Sequence, residues 1–255
     1  MSTANIFRLH LLGSAKLARI DGTQVTGRAG QRSRLALLAL LSLAPRKSLN
    51  RDKVMLLLWP ESSTERARNL LKVAVYVVRQ ALGDLALLTE GDEIRLNEGM
   101  VGSDVADFKA ALENGDHERA IALYEGPLLD GFFLTDSPEF ERWLDGERAG
   151  LAASFAQALD GAAVAAEQRG DLARAVELWK QLAVVDPYDS RVAVHLMRAL
   201  DASGNSAAAL QHAAVHARFL EDELQTAPPS ELVALADTIR ARKTVAAADD
   251  AGRRR

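Results

Sequence analysis

SSTERARNLLKVAVYVVRQALGD (62–84) decides the fold. At about 100° per residue, Ala67, Leu71, Ala74, Val78 and Leu82 share one arc of a helix. Glu65, Arg68, Asn69, Lys72, Tyr76, Arg79 and Gln80 share the opposite flank. SSTE (62–65) matches a capping box, in which Ser62 and Glu65 satisfy each other's free amides. Gly83 suits the position after the last turn. The outer flank is rich in donors of long reach. Arginine can bond guanine edges bidentately, asparagine and glutamine adenine edges, and lysine and tyrosine phosphates. A major groove accepts one helix with such a face, although a merely solvated helix shows the same residue types.

The neighbouring segments give this helix a setting. IFRLHLLG (6–13), AKLARI (15–20) and QVTG (24–27) are β-prone, with a tight turn at Asp21-Gly22. Helical periodicity runs from Gln31 to Ala44, with Leu35, Leu38 and Leu41 on a stripe, and Pro45 ends it. Asn50 caps a second helix, RDKVMLLLW, which Pro60 stops. LALLTE and EIRLNE form a hairpin around Gly91-Asp92. The order is strands, three helices, hairpin.

Beyond Asp104 helix follows helix. Gly170-Asp171 recurs 34 residues later as Gly204-Asn205, Ala175 as Ala209, and Val176 as Leu210. That period is the one of tetratricopeptide-type helix pairs. GDHERAIALYEG (115–126) opens in the same way, out of register. Two or three helix pairs therefore stack as a small solenoid with a concave surface suited to peptides or another protein. Phe132, Phe133, Phe140 and Trp143 gather where this region begins and read first as packing, with a binding groove for an effector as the alternative. Trp179, Tyr188 and Met197 at repeat positions read as core. The expected division is 1–100, then 104–243, then a disordered tail over 244–255.

The net charge of −4 hides an asymmetry. Residues 1–103 hold 15 Lys+Arg against 9 Asp+Glu, a balance of +6, and residues 104–255 hold 16 against 26, a balance of −10. Only the first part is suited to approach a polyanion. The chain has no cysteine, which removes disulfides, thiol chemistry and cysteine-ligated zinc. Met1 to Ile6 lacks the pattern of a signal peptide, and LALLALLSLA (35–44) is too short to span a bilayer, so a soluble, cytoplasmic protein without membrane contact is expected. GxxxxGK[ST], GxGxxG and GxSxG are absent, and His212 and His216, four residues apart, lack the glutamate and third ligand of a zinc site. The expectation is therefore no enzyme, no cofactor and no metal.

Together, the N-terminal strands, the helix opening with Arg32 and Arg34, LLLWP (56–60), VVRQALG (77–83) and TEGDEIRLNEG (89–99) resemble an OmpR/PhoB-type winged helix. Joined to LMRALDASGNSAAALQHAAVHARFLEDEL (196–224), the whole of about 6–242 resembles the Streptomyces antibiotic regulatory protein family, in which a winged helix precedes a bacterial transcriptional activator domain. The implied fold is mainly α: a winged helix-turn-helix followed by an all-α tetratricopeptide-like repeat domain.

The resemblance implies an activator that binds double-stranded promoter DNA, with two protomers on direct repeats, and recruits RNA polymerase. The third helix (64–82) would enter the major groove with Arg68, Asn69, Lys72, Tyr76 and Arg79. Arg32, Arg34 and Arg95 would meet the DNA backbone. The connector Pro60, Glu61, Ser62, Ser63, Thr64 matches the loop that touches polymerase, and Trp59 the tryptophan before it. This chain departs from the family at Tyr76 and Val77, where a small polar residue and an arginine are usual. It departs again at the wing tip, where Glu90, Asp92 and Glu93 replace basic neighbours. Acids there repel phosphates, so recognition should fall on the helix. The same departures admit an alternative, an adaptor whose winged helix binds protein and not DNA.

Overall fold

The computed structural model describes residues 6–25 and 27–253. The chain divides into two compact units, Met1–Phe155 and Ala156–Arg255.

In the first unit β1 (Phe7–His10) pairs antiparallel with β2 (Lys16–Arg19), Phe7 opposite Arg19, so that Phe7 and Leu9 point into the core. The other edge of β1 is taken by a strand far away in sequence, β6 (Val101–Ser103), which runs parallel to it. The third β-prone stretch contributes only a bridge between Gln24 and Ala18, followed by a 3-10 turn over Gly27–Gly30.

α1 (Arg32–Leu43) is buried at every position from Leu35 to Ser42. The expected apolar stripe is thus a helix enclosed on all sides. Ser42 meets Ser103 of β6 through a buried hydroxyl pair at 2.8 Å. Arg46 and Lys47 then take successive left-handed conformations, with φ of 54° and 55°. Lys47 Nζ closes the turn by donating to the Ser42 carbonyl at 2.6 Å. β3 (Ser48–Asn50) leads into α2 (Arg51–Leu58), whose cap is the expected one, Asn50 Oδ1 accepting from the Asp52 amide at 2.8 Å.

α3 (Thr64–Leu82) is the amphipathic helix read above. Its cap is Ser63, accepting from the Arg66 amide at 3.4 Å, one residue later than the Ser62–Glu65 box. Three consecutive hydroxyl residues leave that register open to sequence reading, and the Ser62 amide is instead taken by the Trp59 carbonyl at 3.1 Å. After Gly83, at φ 96°, β4 (Leu87–Glu90) and β5 (Glu93–Leu96) form the hairpin, and β3 joins it in the order β3-β5-β4. Strands, three helices and a hairpin make a winged helix.

The first unit does not end there. Asp104, first residue of α4 (Asp104–Glu113), is 5% exposed, and its Oδ2 accepts from the amides of Leu11 and Leu12 at 2.7 and 2.9 Å. Burial pushes this carboxyl up from its ordinary 3.8, against the pull of the Leu12, Leu11 and Val105 amides. α5 (His117–Leu123) follows, and then a strap that lies along the first sheet. Leu12 bridges Leu128, Leu129 N–H donates to the Leu11 carbonyl at 2.7 Å, and Leu128 and Leu129 are fully buried. Ser137 Oγ donates to the Leu58 carbonyl at 3.0 Å, pinning the start of α6 (Pro138–Gln168) to the end of α2. Phe132, Phe140 and Trp143 pack as a chain of tilted rings, whereas Phe133 is 54% exposed.

The second unit continues with α7 (Leu172–Val185), α8 (Ser190–Ala202), α9 (Ser206–Leu224) and α10 (Ser230–Arg253). The 34-residue repeat has a local cause. Gly170 and Gly204 take φ of 73° and 85°, and the next residue, Asp171 or Asn205, caps a helix. Four residues past each cap, Ala175 and Ala209 are fully buried, where helices approach closely. Gly115, Asp116 and Ala120 repeat the device at α5. Trp179 and Met197 are core as expected, but Tyr188 is 41% exposed and rests against Phe219, ring centroids 5.2 Å apart. Tyr188 lies between α7 and α8, outside the helical spacing that placed it inside. α10 takes in the expected tail as far as Arg253, and residues 254–255 lie outside those described. α6 is long and apolar enough to cross a membrane by length and composition, with 33% of an apolar 18-residue stretch of it buried in the protein. Its Asp160 pairs with Arg191 at 2.7 Å.

Candidate nucleic-acid interface

Seven residues anchor α3 by burial: Ala67, Leu71, Ala74, Val75, Val77, Val78 and Leu82. Val77, a departure from the family at the level of sequence, is thus a packing residue in this chain. Glu65, Arg68, Asn69, Lys72 and Tyr76 are exposed on the opposite flank, Tyr76 by 63%. Val73, not singled out by the sequence, stands 49% exposed beside them, outside the buried stripe.

Arg79 is placed differently from its neighbours. Its Nε and Nη2 donate to the Leu87 carbonyl at 3.0 and 2.7 Å, and Nη2 reaches Thr89 Oγ1 at 3.2 Å. The guanidinium therefore ties the last turn of α3 to β4. A bond from helix to hairpin depends on tertiary placement, which helical spacing does not encode.

The backbone-contact candidates also differ. Arg32 is exposed at the start of α1, its guanidinium 4.7 Å above the centre of the Phe133 ring. Arg34 bends back onto Gln31 Oε1 at 2.5 Å and Ser33 Oγ at 3.1 Å. Arg95 pairs with Glu90 at 3.2 Å across the hairpin. Glu93 accepts from Ser48 Oγ at 2.7 Å, and Glu90, Asp92 and Glu93 are all exposed. The wing is acidic, and its one basic residue is already paired.

Two of the clefts along the N-terminal half of α3 adjoin α2. One, of about 370 Å³, lies between α2 and α3 and is lined in part by Met55, Leu56, Trp59, Pro60, Thr64 and Arg68. Pro60, Glu61, Ser62, Ser63 and Thr64 form the turn between the two helices, with Glu61, Ser63 and Thr64 exposed. The second, of about 330 Å³, lies between the start of α2, α3 and the wing turn, and is lined in part by Arg51, Arg68, Lys72 and Asp92. Among the described residues, no group of three or more His, Asp or Glu side chains is placed to hold a metal ion. The arrangement suits binding: an exposed helix face of donors with clefts beside it.

Comparison with known proteins adds to this geometry. The model of the bacterial transcriptional activator domain matches residues 102–240. Among solved structures, Mycobacterium tuberculosis EmbR in complex with low affinity phosphopeptide is similar, with a TM-score of 0.67 and 22% identity over 93% of this chain and 65% of that one. The chain thus spans about 65% of that protein's length. No curated protein sequence matches it.

Proposed function

Because this chain belongs to the family of transcriptional regulators built on the bacterial transcriptional activator domain, and carries that domain behind a winged helix in the SARP-type arrangement, we propose that it binds promoter DNA through α3. The observation that carries this reading is the free flank of α3, where Arg68, Asn69, Lys72 and Tyr76 are exposed together on the third helix of a winged helix. A major groove takes one such helix, and these side chains match base edges and phosphates. Arg32, exposed at the start of α1, meets a backbone phosphate. The turn Pro60, Glu61, Ser62, Ser63, Thr64 is the surface offered to RNA polymerase, and a second protomer occupies the adjoining direct repeat. The protein acts in the cytoplasm, by binding and without a catalytic step of its own.

A second reading has its own observation, the acidic wing with Arg95 already paired to Glu90. In that reading the winged helix is a protein-interaction module. A mobility-shift titration against the chain's own upstream region, backed by random-site selection, separates the two. Salt-sensitive binding and an enriched motif are expected for the regulator on DNA. No retained duplex in either assay, with a partner protein captured by the same domain, would select the adaptor.

A further inference from the structure

Resting on the DNA-binding reading above, we propose that the cleft between α2, α3 and the wing turn holds one backbone phosphate of the bound duplex, with Arg51 as its central ligand. The two acids that line it, Asp52 and Asp92, set how tightly it does so.

Arg51, Arg68 and Lys72 line one cleft of about 330 Å³ from two different elements. Among the described residues the side chains of all three make no ion pair or hydrogen bond, unlike those of Arg34, Arg79 and Arg95. Arg51 is the most telling of them, because its Nε is buried without a hydrogen-bond partner. A buried guanidinium N–H left unmade is costly, and an anion oxygen entering the cleft is the chemistry that satisfies it. The residue is also held in place. Its amide donates to the Asp92 carbonyl at 2.8 Å, which fixes the Gly91-Asp92 turn beside α2.

Asp52 and Asp92 line the same cleft, so three cations face two carboxylates and leave an excess of one positive charge. That excess matches a phosphodiester, which carries a single negative charge. It matches a dianionic free phosphate less well. With Arg51 engaging the strand from the α2 side, Arg68 and Lys72 reach the same backbone, and base edges fall to Asn69 and Tyr76, which lie farther round α3. The acidic wing then tunes phosphate binding through Asp92 in place of contacting the minor groove.

The test measures affinity of the full chain for a selected duplex and for a random duplex by fluorescence anisotropy across a salt series. Arg51→Gln is expected to weaken both by the same factor, roughly 5- to 10-fold near 0.1 M salt, and to lower the salt slope by about one. Asp92→Asn, an exposed change that leaves the fold intact, is expected to strengthen both. Unchanged affinity in both variants, or a loss confined to the selected duplex, overturns the proposal. A wild-type chain without DNA affinity would sink the DNA reading itself. In that case thermal unfolding with inorganic phosphate decides the cleft. Stabilisation lost in Arg51→Gln would assign it to a free phosphate and overturn the DNA source, and no stabilisation would remove the anion site altogether.

Discussion

Arg68 and Arg79 both belong to the polar flank of α3, yet they have opposite commitments. Arg68 is exposed and without a bonded partner among the described residues, while Arg79 spends its guanidinium on the Leu87 carbonyl and the Thr89 hydroxyl. Their alanine variants should therefore separate. Arg68→Ala is expected to weaken DNA binding while leaving the melting temperature unchanged, since surface substitutions away from packed contacts usually shift stability by less than about 0.5 kcal/mol. Arg79→Ala leaves a strand carbonyl without its charged donor and should cost about 1–3 kcal/mol of stability, with DNA affinity reduced only through a loosened hairpin. Thermal unfolding and anisotropy on the same two proteins check the pair. Equal melting temperatures with equal losses of affinity would place Arg79 back on the reading face. Asn69→Ala supplies the third case: selection with that variant should return a motif relaxed at one position, as expected where a side chain reads a base edge.

At the scale of elements, the α8–α9 pair contains a titratable weakness. His212 and His216 stand one turn apart on α9, and burial pushes both imidazoles below their ordinary 6.5. Each charge would repel the other at His212, while the Pro187 carbonyl and Asp189 partly oppose the shift at His216. The folded state thus resists a proton that the unfolded chain accepts near pH 6.5. Stability is complete above that pH and is lost as the pH falls through the lowered folded values. Urea unfolding followed by helical ellipticity should show the loss between about pH 7 and pH 5. His212→Leu should flatten part of the slope without weakening the protein at neutral pH, because the His212 Nε2 is buried with no partner. A steeper slope, or marked destabilisation at pH 7.5, would refute this account. The same elements show what a sequence discloses. The Gly-Asp and Gly-Asn signals were legible because one residue leaves a helix and the next caps another, both local tasks. The three-residue strands β3 and β6 were not legible, since neither is long enough to show alternation and β6 pairs with β1 across most of the first unit. The exposure of Arg68, Asn69, Lys72 and Tyr76 on α3 could be read from spacing, whereas the engagement of Arg79 by β4 could not. The Arg51 cleft could not, because it needs α2, α3 and the wing turn side by side.

At the scale of the whole molecule, the shift in charge and composition near residue 104 and the physical boundary do not coincide. The activator-domain match begins at residue 102, whereas the first compact unit extends to Phe155. Side-chain chemistry explains the difference. β6 completes the first sheet, the buried Asp104 carboxyl holds the Leu11 and Leu12 amides, and Ser137 bonds the end of α2. Phe108, Leu128 and Leu129, all fully buried, close the core from beyond the hairpin. Each such side chain is worth about 1.5–3 kcal/mol on burial, and removing several exceeds the margin of a small domain. A fragment ending at residue 100 keeps every DNA-facing residue but loses all of these contacts, and should be insoluble or unfold without cooperativity. A fragment ending at residue 155 should unfold cooperatively and retain the affinity of one protomer for a single site. Expressing both and comparing urea transitions with anisotropy decides between the boundaries. Cooperative folding and full affinity in the shorter fragment would show that the helices after residue 104 merely follow the DNA-binding part, and a folded longer fragment beside an unfolded shorter one would show that they complete it.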